Sequence, residues 1–123
     1  MANDVEIKWL ADPEDDDYPA AGSYLSLIYD ESAAAQYVEQ LRKAPVSKFK
    51  AKDIFRASSL PLLGINDSHV EHDQKKLLAG KSLSPLLLVR AVSNQRVIIA
   101  DGYHRMCAVY SFDEDALIPC KIV

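Results

Sequence analysis

The chain has 123 residues, of which 49% are hydrophobic and 26% charged, with a formal net charge of -4. That length suits one domain able to bury about two-thirds of its unfolded surface without disulfides or metal. An acidic balance argues against a nucleic-acid binder working by phosphate neutralisation, and no apolar run approaches the length of a membrane span.

The N-terminus, MANDVEIKW, is charged and lacks the apolar core of a signal peptide, so a cytoplasmic location is expected. Residues 5–10 read as a short strand or extended arm. They lead into Asp12, Pro13, Glu14, Asp15, Asp16 and Asp17, an acid-rich stretch expected to be an exposed, solvated loop. Its acids lack the alternating ligands and glycine turn of a calcium loop. Pro19 suits the first turn of a short helix running through Ala20, Ala21, Tyr24, Leu25 and Ile28. A second helix is expected after Asp30, Glu31 and Ser32, ending at Arg42 and Lys43 before Pro45, with Ala34, Tyr37, Val38 and Leu41 on one apolar face.

Residues 47–52 read as a strand on which Lys48, Lys50 and Lys52 share one solvated face. A helical turn through Asp53, Ile54, Phe55 and Arg56 follows, then a loop over residues 59–65 carrying Pro61 and Gly64. Ser68 and Glu71 have the spacing of a capping box, and Gly80 stands where a left-handed residue would end the helix between them. Val70, Gln74, Leu77 and Leu78 would face the core, leaving His69, His72 and Lys76 on another side. Two histidines without a firm third ligand do not make a metal site, and none is expected.

Pro85 introduces Leu86-Leu87-Leu88-Val89, an unbroken apolar run that implies a strand buried on both faces. Ser93, Asn94 and Gln95 form a turn, and Val97-Ile98-Ile99-Ala100 is the expected hairpin partner. Asp101-Gly102 breaks that strand, and residues 103–110 form a helix with Tyr103, Met106, Cys107 and Tyr110 as its core stripe. Asp113, Glu114 and Asp115 make an acidic, solvated turn before the closing strand, residues 118–123. Cys107 and Cys120 lack metal or redox spacing and read as small buried apolar residues.

The unit that carries chemistry is a buried strand, an Asp-Gly turn and a helix opening on Tyr103, His104 and Arg105. A helix start offers free amides and the positive end of the dipole to an anion. Gly102 lets the anion approach the backbone, Arg105 adds a forked cationic donor, and His104 can donate a hydrogen bond or move a proton. Asp101 would cap the helix or orient one of these groups. For Arg105 the competing reading is an ion pair with Asp101 that pins the helix.

From about Ser47 onward the chain resembles the ParB/sulfiredoxin superfamily. The likeness is sharpest at Ile98-Ile99-Ala100-Asp101-Gly102-Tyr103-His104-Arg105 with Ala108 one turn later, and at Ile118-Pro119-Cys120-Lys121-Ile122-Val123. It implies an α+β fold, a small mixed sheet with surrounding helices, over residues 46–123, with residues 1–45 as a helical addition of unplaced role. It also implies phosphate or nucleotide binding by Gly102, His104 and Arg105, with His69, His72 and Lys76 as contributors on the preceding helix; Asp101 joins the expected site by holding the turn and a magnesium-bound water. ATP or another nucleotide with magnesium is the implied cofactor. Sulfiredoxins place a catalytic cysteine where this chain has Tyr103, so sulfinic-acid reduction is not expected. ParB proteins follow this domain with DNA-binding and dimerisation segments, so with the sequence stopping at Val123 chromosome partitioning is not expected either. Three readings stay open: a phosphate- or nucleotide-binding domain, a non-catalytic accessory or interaction domain, and an ATP-dependent small-molecule kinase using Glu71, Asp73 or Asp101 as its base.

Overall fold

The computed structural model describes residues 6–123. Val5, where the expected N-terminal arm begins, lies outside the described residues. The fold is mixed α+β, with a four-stranded sheet flanked by helices on both faces. Among the described residues no helix is long and apolar enough to cross a membrane.

In chain order the elements are α1 (Asp17–Leu25), α2 (Glu31–Lys43), β1 (Val46–Lys50), α3 (Ala51–Ser58), α4 (Ser68–Leu78), β2 (Leu86–Ala91), β3 (Arg96–Asp101), α5 (Tyr103–Phe112) and β4 (Leu117–Ile122). The strands lie in the order β1-β4-β2-β3. β2 and β3 form the expected antiparallel hairpin, β1 and β4 are antiparallel, and β2 runs parallel to β4.

β2 explains the layering. Alternate strand residues point to opposite faces, and Leu86, Leu87, Leu88 and Val89 are all at most 1% exposed. Leu86 and Leu88 pack with α3, α4 and α5 through residues such as Ile54, Leu77 and Met106. Leu87 and Val89 pack with Tyr18, Ala21 and Leu25 of α1 and with Ala34 and Leu41 of α2. α1 and α2, within the N-terminal addition, therefore supply the cover for the sheet's second face. One cation ties that cover to the sheet and a second joins its two helices. Lys121 of β4 is only 6% exposed and donates from Nζ to the Arg42 carbonyl at 2.9 Å, while the Arg42 guanidinium lies 4.5 Å from the Tyr18 ring centroid.

Local signals account for most element ends. Asp30 caps α2 by accepting from the Ala33 amide at 2.7 Å, and Arg42 and Lys43 lie in its last turn. Gly80 has φ +77° just beyond α4. Several expectations need correction. Asp67, not Ser68, caps α4, because its Oδ1 accepts from the His69 and Val70 amides at 2.9 and 3.2 Å. Leu78 is 55% exposed, since α4 buries only Val70 and Leu77 completely. β1 ends at Lys50, so Lys52 sits in α3, off the strand, and converges with Lys50 on Asp115 Oδ1, at 2.7 Å and 3.9 Å. That pair gives the 113–115 turn an ion-pair partner. The 12–17 stretch is not wholly solvated either, as Pro13 is buried and Asp17 opens α1 half-buried. Upstream, residues 8–10 run alongside Leu83, with Leu10 donating to the Leu83 carbonyl and the Leu83 amide donating to Lys8. Cys107 and Cys120 are both buried and free, and burial pushes the Cys120 thiol up to about 12.

The two-sided core sets the first prediction. Leu87→Ala should lose about 2–5 kcal/mol, because it opens a void under α1 and α2. Leu78→Ala should stay within about 0.5 kcal/mol of wild type, as for a surface position. Urea denaturation of both variants measures the contrast, and a large loss at Leu78 would contradict the placement of α4.

Candidate functional site

Asp101 ends β3 and Gly102 turns the chain into α5 with φ +108°. A Cβ at Gly102 would lie 2.7 Å from Leu86 Cγ and 2.9 Å from Arg105 Nη2. Both the backbone conformation and the close approach to β2 therefore require glycine. The first helical bond of α5 runs from the Met106 amide to the Gly102 carbonyl at 2.9 Å. The amides of Tyr103, His104 and Arg105 precede it and have no partner within the helix. No side chain caps this helix start.

Asp101 does not cap the helix. Its Oδ2 accepts from Arg105 Nη2 at 2.9 Å, and the two side chains are 17% and 16% exposed. Arg105 also donates from Nε to the Ser84 carbonyl at 2.9 Å and from Nη2 to the Pro85 carbonyl at 3.4 Å. The guanidinium thus clamps the start of α5 to the segment that enters β2. The ion-pair reading of Arg105 describes what its Nε and Nη2 do.

Ser84 carries the network to the N-terminal segment. Its hydroxyl donates to Asp17 Oδ2, while the Glu14 amide donates to both Ser84 Oγ, at 3.2 Å, and Asp17 Oδ2, at 3.0 Å. Burial pushes the Asp101 carboxyl above its ordinary value; Arg105 pulls it down and the nearby Asp17 carboxylate pushes it further up. A carboxyl raised in the folded state takes up a proton on folding. Its contribution to stability is greatest when protonated and falls as pH climbs through the folded value.

α4 forms the opposite wall. His69 and His104 meet with ring centroids 4.8 Å apart and planes tilted by 40°, and the Tyr103 ring lies 5.4 Å from His104. Asp67 is held below the usual carboxylate value, chiefly by the Val70 amide; burial opposes this as the next-largest influence, and the His69 amide and the His104 and His69 imidazoles add to the lowering. Between the walls lies a polar cleft of about 160 Å³. α4 contributes His69, His72 and Asp73 to it, and the 101–105 turn contributes Asp101, Gly102, Tyr103, His104 and Arg105.

Of the residues expected here, Asp101, Gly102, His104, Arg105, His69 and His72 meet in one cleft, whereas Lys76, one turn further along α4, does not line it. Tyr103 points its hydroxyl at the Pro61 carbonyl, to which it donates, and so anchors the 59–65 loop. Glu71 pairs with Lys75 at 3.7 Å on the exposed face, which leaves Asp73 as the carboxylate that faces the cleft from α4. Asp17, Ser84 and Asp67 were not among the expected site residues. Asp67 had a legible signal, since aspartate ranks with serine as an N-cap; Asp17 and Ser84 arrive through tertiary packing. Among the described residues no group of three or more histidine, cysteine or acidic side chains is placed to hold a metal ion.

No family model, curated protein or solved structure matches the chain.

Two variants probe this geometry. Gly102→Ala should lose about 1–3 kcal/mol, because it combines a left-handed conformation with contact on Leu86 and Arg105. Asp17→Asn keeps an acceptor for Ser84 and removes a charge that raises Asp101. Its stability relative to wild type should therefore improve as pH rises from about 4.5 to about 7.5. Urea midpoints across that range report it, and parallel pH profiles would show that the two carboxylates do not interact.

Proposed function

We propose that the protein binds a phosphate group, carried by a nucleotide or a small phosphorylated molecule, at the start of α5. One observation carries the reading: three amides without helical partners and an uncapped, glycine-preceded helix start open into a polar cleft faced by His69 and His72. Helix amides and the dipole favour an anion at that point. A volume of about 160 Å³ falls below the ~300–1,000 Å³ of pockets that enclose a drug-sized ligand. It suits a phosphate group with the rest of the ligand lying outside. The resemblance to the ParB/sulfiredoxin superfamily points to the same turn, and a cytoplasmic site of action belongs to this reading.

The kinase-like version adds a nucleotide with magnesium. Phosphoryl transfer depends on positioning and on charge stabilisation, so the residues needed are phosphate donors and a carboxylate near the acceptor. Asp73 fits that second part better than Asp101, whose Oδ2 is engaged by Arg105. The accessory-domain reading also has an observation in its favour: Arg105 Nε and Nη2 are spent on Ser84, Pro85 and Asp101, so the strongest cation of the turn acts first as a clamp.

Thermal unfolding with inorganic phosphate, ADP, ATP and CTP, each with and without magnesium, separates these readings. A ligand at about 10 times its Kd adds roughly 1.4 kcal/mol, enough to raise Tm by a few degrees. The shift should be smaller in His104→Ala, which leaves the Arg105 clamp in place. No shift with any of the four removes the phosphate reading and leaves the accessory one. Slow release or transfer of phosphate in the bound state would assign an enzyme.

A further inference from the structure

The sheet has two edges, and they differ. β1 carries Lys48 and Lys50, both exposed, and charged side chains of this kind guard an edge against pairing with another chain. β3 forms the other edge, and its centre is Val97, Ile98, Ile99 and Ala100, with no proline or charge among them. β3 is hydrogen-bonded to β2 alone, and among the described residues its outward amides and carbonyls have no backbone partner. That edge is the floor of a groove of about 230 Å³. Tyr24 and Ile28 line one side and Ser58 and Leu60 the other. Tyr24 and Ile28 are 42% and 47% exposed, and Leu27 beside them is 84% exposed.

At the start of β3 the groove meets Arg96, and the adjoining hollow under α3 brings in Arg90. Both arginines are exposed, and among the described residues neither has an ion-pair partner. In a chain of net charge -4, two unpaired arginines beside an apolar slot select for a carboxylate.

We propose that the β3 edge is a docking site for an extended segment of a partner protein, one with apolar side chains at alternate positions and an acidic residue where it passes Arg96. A row of free backbone donors and acceptors is matched by another extended backbone, and the apolar walls read alternate side chains. The acidic residue fixes the end of the segment that lies at Arg96. The slot itself argues against a second copy of this chain as occupant. A β3 edge in the second copy would lie at the floor of its own groove, and the walls would meet before the edges did.

A peptide-display library of random 12-residue segments tests this on the full chain. Selection should enrich peptides that combine β-branched or aromatic residues at alternate positions with aspartate or glutamate. The best selected peptide, made synthetically, should protect amides within residues 96–100 from hydrogen exchange. Its affinity should fall at least tenfold in Arg96→Glu and in Ile28→Asp, both exposed positions whose thermal unfolding is checked in parallel. Leu117→Asp, exposed on β4, should leave it unchanged. The proposal is overturned if selection returns nothing above background, if the binders protect another surface, or if both groove variants bind as wild type does. Sedimentation showing a dimer that Ile28→Asp dissolves would also overturn it and assign the groove to a second copy.

Discussion

A strand with four consecutive fully buried apolar residues needs cover on both faces, and β2 imposes that requirement on the whole molecule. Each large aliphatic side chain taken from water contributes roughly 1.5–3 kcal/mol, so neither face of Leu86-Leu87-Leu88-Val89 can be left open in so small a fold. α3, α4 and α5 satisfy one face, and α1 and α2 satisfy the other. The position of the polar cleft follows from the same strand. Leu86 begins β2, and its side chain is what a Cβ at Gly102 would strike. The turn into α5 is therefore pressed against the entry of the central hairpin, with the Arg105 clamp closing the remaining gap.

That clamp changes the balance of the proposed anion site. Burying a charge is costly unless it is paired and hydrogen-bonded, and Arg105 meets both conditions with Asp101 and two backbone carbonyls. Removing it would leave Asp101 buried beside Asp17 without its cation. On the proposed phosphate reading, affinity would accordingly come in large part from the helix amides and the imidazoles of His69, His72 and His104, with the guanidinium setting their geometry. Asp73 and Asp101 in the same cleft oppose a bare anion, which favours a ligand that brings its own cation or proton.

Local chemistry made much of this legible. Asp30 before an amphipathic run, basic residues in its last turn and Pro45 beyond it mark α2, and Gly80 marks the end of α4. The Asp-Gly break, the buried run of β2, its hairpin partner across the 93–95 turn and the helix from Tyr103 follow from residue types alone; that Val97 and Ile98 are only partly buried, on an edge strand, does not. Tertiary choices were not legible. Asp67 and Ser68 are both competent caps, and only the chain's approach to α4 decides between them. Leu78 belongs to a helical apolar pattern, yet whether that flank meets a neighbour depends on how α4 is rotated on the sheet. Asp17 reads as one more acid in a charged stretch until α1 packs down and brings it to Ser84. In each case periodicity identifies what a face can do, and the partner element determines whether it does so.

β3 links the cleft and the edge groove without making them one site. Arg96 and Asp101 stand five steps apart along the strand, about 17 Å at 3.3 Å per residue. That exceeds the Debye length of about 8 Å at physiological ionic strength, so charge placed at one end is largely screened from the other. It also exceeds the 7–10 Å within which substitutions usually couple. Exposed changes at Arg96 and changes at His104 should thus act independently, and any dependence between them would have to travel through the strand itself. The short path for it is the β2–β3 pairing, whose register shifts between Leu87 and Leu88, opposite the end of β3 that carries Asp101.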